Sequence, residues 1–151
     1  MQQIFEITRT GRKIISQILQ NHSLEQLNKI PEGYSNNLIW NIGHIVVVHQ
    51  MLVYKLSGLP MMVSDDLVEK YMKGTKPEQN ATQEEVDEIK ELLFETLDQT
   101  ENDLKNMVFE RYQEYPTSTG FVIKNAVDAM GFNYFHEGIH IGIMMGLKRF
   151  L

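Results

Sequence analysis

The chain has 151 residues, 42% of them hydrophobic and 23% charged, with a formal net charge of −6 and no cysteine. That length predicts a single domain, residues 1–151, with a true hydrophobic core. The acidic balance, with no basic block, excludes a nucleic-acid or anionic-lipid surface, and the lack of cysteine leaves only imidazole, carboxylate or water to hold a metal.

The N-terminus, Met-Gln-Gln-Ile-Phe-Glu, has no cationic start followed by an apolar run, so no secretory signal is read and the cytoplasm is the expected compartment. Ile4, Ile7, Ile14, Ile15, Ile18 and Leu19 recur at mostly helical spacing and predict a first helix over residues 3–20. Ser23-Leu24-Glu25-Gln26 has the form of a capping box and predicts a short helix to Ile30, ended by Pro31-Glu32-Gly33.

The second long helix is expected to start near Ser35 or Asn36 and run to about Leu56, where Ser57-Gly58-Leu59-Pro60 stops it. From Gly33 to Tyr54 there is no Asp, Glu, Lys or Arg. Asn36, Asn37, Asn41, His44, His49 and Gln50 interrupt this stretch, which argues for a buried bundle helix and against a membrane span. A short helix over residues 65–73 is predicted next. Thr82-Gln83-Glu84-Glu85 then caps a third long helix whose stripe is Val86, Ile89, Leu92, Leu93, Thr96, Leu97 and Leu104. Residues 112–121, with Pro116 and Gly120, read as a connection.

The fourth long helix is expected over residues 122–149. Only Asp128 and Glu137 are charged between Lys124 and Lys148, and apolar residues lie almost all round it, which predicts burial on more than one side. Two such apolar helices against two amphipathic ones make an all-α four-helix bundle with extra burial from a partner chain. Gly138, Gly142 and Gly146 form one ridge of the fourth helix, read as a tight intrachain crossing or, alternatively, a homodimer contact.

The chemistry concentrates in His136-Glu137-Gly138-Ile139-His140. Histidines four apart on a helix are about 40° apart on one ridge and can share a metal ion. His44, in the other charge-poor helix, is the third candidate. Three neutral imidazoles with one open position form a known catalytic zinc arrangement. The competing reading is a set of hydrogen-bonded core histidines, with Trp40 stacked on His44. His49 lies about 140° from His44 and is read as a surface or packing residue, and His22 as a helix-end residue near solvent.

His-Glu-x-x-His is also the zinc-protease signature, with Glu137 as general base. Such proteases take a third ligand downstream, and Ile141 to Leu151 hold no Asp, Glu or His. They also align substrate on a strand, and none is read here. Glu137 therefore stands either as a residue orienting metal-bound water or as a solvated helix residue. A di-iron carboxylate site fails for want of a second Glu-x-x-His pair.

Three stretches resemble the DinB-like family, the damage-inducible four-helix proteins that include thiol S-transferases. They are Asn37-Leu38-Ile39-Trp40-Asn41-Ile42-Gly43-His44, Phe135-His136-Glu137-Gly138-Ile139-His140-Ile141-Gly142, and the closing Gly146-Leu147-Lys148-Arg149-Phe150-Leu151. The resemblance implies a divalent metal, zinc or nickel, on His44, His136 and His140. It also implies a bundle with a long crossover connection, often a homodimer, and thiol transfer between a small-molecule thiol and an electrophilic substrate. The alternatives are a metal-dependent hydrolase using Glu137 and a non-enzymatic dimeric scaffold or stress protein. Tyr34, Trp40, Asn41, Asn133 and Tyr134 are candidate pocket residues. Asn41 and Asn133 are expected to hold the second nitrogens of the ligand histidines.

Overall fold

The structure is a computed structural model that describes residues 2–151. Its α-helices are α1 (Gln2–Asn21), α2 (Leu24–Asn28), α3 (Leu38–Val53), α4 (Asp65–Tyr71), α5 (Gln83–Lys105) and α6 (Ala126–Leu147). The long helices α1, α3, α5 and α6 form the four-helix bundle. Helix α3 packs on α5 and α6, and α1 packs on the same two, so α1 and α3 sit on one diagonal and α5 and α6 on the other. The connections through residues 22–37 and 106–125 therefore cross the bundle end from corner to opposite corner.

Side-chain caps set most helix starts. Ser23 makes the full capping box with Gln26, and Ser64, Thr82 and Asn125 accept from the backbone N–H three residues on. Helix α3 begins at Leu38, slightly later than predicted, because Asn37 is the residue whose side chain accepts from the Trp40 N–H. It gives way to a 3-10 turn over Lys55–Ser57, and Gly58, at φ 70°, closes that turn in the left-handed region.

The buried stripe of α5 is Val86, Ile89, Leu92, Leu93, Thr96, Leu97 and Thr100, the predicted face with Thr100 rather than Leu104 at its end. Nearly all of α3 is buried. Helix α6 differs from expectation at both ends and on its outer side. It starts at Ala126, because Val122–Ile123 (β2) pairs antiparallel with Tyr115–Pro116 (β1) in a hairpin. That ladder is too short to leave a periodic signal in the sequence. Helix α6 buries a single stripe within the chain and exposes Tyr134, Phe135, Ile139 and Met145. Gly138 and Gly142 face open space among the described residues, so the expected intrachain crossing on that ridge is not formed.

The close helix approach is at Gly43 instead. A Cβ there would lie 2.6–2.8 Å from three ring atoms of Tyr71. That ring is buried, and its hydroxyl donates to Glu85. Gly43→Ala is expected to cost about 1–3 kcal/mol through overpacking. It pushes α4 outward, and differential scanning calorimetry reads the loss.

Candidate metal centre

The three histidines come together. The ring nitrogens that His44, His136 and His140 offer all lie within 4.8 Å of one another. The Nε2 atoms of His136 and His140 are 3.1 Å apart. Two ligand nitrogens on one tetrahedral zinc stand roughly 3.3 Å apart, given Zn–N bonds near 2.0–2.1 Å. His44 reaches the pair from α3, with ring centroids 5.2 Å from His136 and 4.8 Å from His140.

The partners of the other ring nitrogens settle the tautomers of His44 and His140. His44 Nδ1 lies 2.6 Å from the carbonyl oxygen of Tyr71. A carbonyl only accepts, so Nδ1 carries the proton and Nε2 keeps its lone pair. Tyr71 is the last residue of α4, where carbonyls have no intrahelical partner, and His44 fills one of them. Trp40 stacks on the His44 ring at 4.7 Å and 13° and fixes its plane.

His140 Nδ1 lies 2.8 Å from Asn41 Oδ1. The Asn41 amide nitrogen already donates to the Asn37 carbonyl and to Asn36 Oδ1, so its oxygen faces His140 and accepts. His140 therefore also presents a bare Nε2. Such outer partners orient metal ligands and raise their basicity. His136 Nδ1 is buried with no hydrogen-bond partner among the described residues.

All three rings are held neutral. Burial pushes His136 down to about 4, aided by its neighbours His44 and Lys73, which oppose a second positive charge there. Burial pushes His140 down to about 3, aided by His136 and His44. Burial likewise lowers His44 against the opposing Tyr71 hydrogen bond. A cation binds the neutral imidazole, so near neutral pH no proton has to leave first. The donor set therefore fits a divalent ion: His44 and His140 each present a bare Nε2, and the Nε2 of His136 stands at ligand spacing from that of His140.

The triad opens into a cavity of about 420 Å³ lined by α3, α6, the hairpin and Lys73 from the loop after α4. Val48, Met51, Leu52, Leu56 and Phe132 make its wall apolar. Tyr34, Trp40, Asn41, Asn133 and Tyr134 do not line it. Trp40 and Asn41 act on the histidines from behind. Tyr34 packs on Phe150, and Tyr134 is exposed.

Glu137 is corrected by its position. It is buried, not solvated, and does not line the cavity. Its carboxylate accepts from Arg12 Nη2 at 2.7 Å and from Arg12 Nε at 3.2 Å. Asn133 Nδ2 donates to Glu137 Oε1 at 2.7 Å rather than serving a ligand histidine. With those oxygens committed to Arg12 and Asn133, Glu137 ties α6 to α1 and is not placed as a base for the cavity. His49 is buried beside the same network and meets Thr100, so it is a packing histidine rather than a surface one.

Arg12, the Tyr71 carbonyl, Lys55 and Lys73 went unread in the sequence. Arg12 left a trace there: it falls on the inward stripe of α1 with Phe5, Thr8, Ile15 and Leu19, a lone cation where apolar residues belong.

Among the described residues, no helix is long and apolar enough to cross a membrane. A search of curated proteins finds no match. The family model of the DinB superfamily matches residues 7–144, a span that takes in most of each of the four bundle helices and all three histidines. The motif order, the bundle and the matched span agree, and the chain belongs to the DinB superfamily.

Proposed function

We propose that the chain is a divalent-metal-dependent enzyme of the thiol S-transferase type, with zinc or nickel held by His44, His136 and His140. The observation that carries this reading is the triad itself: neutral, with His44 and His140 oriented from behind, and open on one side to an apolar cavity. The bound ion would supply Lewis acidity, which lowers the pKa of a thiol so that the thiolate predominates near neutral pH.

The chain's own part is to bind and orient. Trp40, Asn41 and the Tyr71 carbonyl fix the ring planes of His44 and His140, and the apolar wall excludes water from the reacting groups. With Glu137 locked to Arg12, no carboxylate among the described residues lines the cavity, which favours a thiol over water as the nucleophile. The test is turnover of a panel of electrophiles by metal-loaded protein with and without added low-molecular-weight thiols. Turnover that needs the thiol supports the reading, and thiol-independent hydrolysis overturns it.

The active form is proposed to be a homodimer joined through the outer face of α6. Tyr134, Phe135, Ile139 and Met145 are exposed there beside the open Gly138 and Gly142. Glycines on that ridge let a second helix approach closely, and a two-fold contact buries the same apolar stripe on both copies. Ile139→Asp is expected to convert the dimer to monomer in analytical ultracentrifugation. A wild-type monomer overturns this assignment.

A further inference from the structure

The cavity beside the triad carries two cations that the metal centre does not use. Lys55, from the 3-10 turn after α3, and Lys73, from the loop after α4, both line it. Among the described residues neither ammonium takes part in an ion pair or a side-chain hydrogen bond, although the chain carries 20 acidic residues against 14 basic ones. Lys70, three residues before Lys73, is by contrast paired with Glu85.

Two free ammonium groups at one apolar cavity, in a chain of net charge −6, form a local positive field. Low-dielectric walls focus such a field. Lys73 also lies near enough to the triad for its charge to disfavour protonation of His44 and His136. The remaining lining is Val48, Met51, Leu52, Leu56 and Phe132, with Tyr115, Thr117 and Ser118 from the hairpin. Binding sites of this kind take most of their area from apolar contact and their orientation from a few charged or polar groups.

We propose that the cavity selects an amphiphilic organic anion, a ligand with an apolar body against the α3 and α6 wall and a carboxylate or comparable anionic group at Lys55 and Lys73. This rests on the reading of the cavity as the substrate end of the metal centre, and it names the substrate class. It assigns Lys55 and Lys73 as specificity-determining residues. A neutral thiol or electrophile of the same shape lacks the second anchor.

The test compares octanoate with octanamide, a pair that differs in charge but hardly in shape. Each is titrated by NMR into full-length protein, metal-free and zinc-loaded, for wild type, Lys73→Arg and the double variant Lys55→Gln/Lys73→Gln. Wild type is expected to bind octanoate roughly three- to ten-fold tighter than octanamide, the scale of one or two partly exposed charge pairs. Metal-free protein keeps that preference, metal-free Lys73→Arg retains it, and the metal-free double variant loses it while still binding octanamide. Equal affinity of metal-free wild type for the two probes, failure of both to bind, or a preference that persists in the metal-free double variant overturns the proposal. Anion preference in protein that takes up no zinc leaves the lysine assignment standing and removes the metal reading instead.

Discussion

Glu137→Ala is expected to lower stability by about 3–5 kcal/mol, the cost of leaving one member of a buried ion pair alone. For a chain of this length that is a fall in Tm of roughly 10 °C. The reason is the guanidinium left behind. Arg12 is 0% exposed, and water cannot replace the lost carboxylate. Its Nη1 remains bonded to the Leu93 carbonyl and to Thr96 Oγ1 at 3.0 Å, so it stays fixed in place. The pair spans α1 and α6, with Arg12 also fastened to α5, so three of the four bundle helices feel the loss.

The same geometry predicts rescue. Replacing both partners with methionine removes the unpaired charge and refills much of the volume, and such replacements are often neutral or stabilising. Arg12→Met/Glu137→Met is expected to recover most of the lost Tm and to keep its metal. Chemical denaturation of the two single variants and the double variant closes the cycle. A Glu137→Ala protein of wild-type stability that no longer takes up metal would contradict this role and return Glu137 to the metal centre.

The second large effect belongs to the triad. A ligand that binds only the folded chain stabilises it by about 4 kcal/mol at a free concentration 1,000 times its Kd. Saturating zinc or nickel is therefore expected to raise Tm by roughly 10 °C. His44→Ala, His136→Ala and His140→Ala are each expected to abolish that rise. Asn41→Ala leaves the three ligands but removes the acceptor that fixes the His140 ring, and is expected to weaken metal binding about 10- to 100-fold. Thermal melts across a metal titration measure both. A rise of equal size in His136→Ala would show the metal bound elsewhere.

Much of this site is legible in the sequence because helices convert spacing into direction. His136 and His140 share a ridge by their interval of four, and the two charge-poor segments, α3 and α6, are the ones that meet. The caps at Ser23 and Thr82 read directly, since capping needs only a side-chain oxygen and a following N–H.

What does not read is whatever depends on a partner from a distant segment. The His44 proton goes to a main-chain carbonyl 27 residues away, and a carbonyl has no sequence signature. Arg12 and Glu137 are 125 residues apart, and neither residue's local sequence names the other as its partner. Asn133 sits on the right helix but turns to Glu137 because the carboxylate is one turn away on the same stripe. The apolar outer face of α6 reads as buried because composition reports hydrophobicity and not which molecule covers it.

The proposed chemistry requires the triad to hold a metal ion, and elemental analysis of protein purified without a histidine tag tests that most directly. Close to one equivalent of zinc or nickel per chain is expected for the wild type, and almost none for His44→Ala folded to the same extent by circular dichroism. Metal-free wild type that stays empty when offered zinc or nickel, or His44→Ala with undiminished metal content, would contradict it.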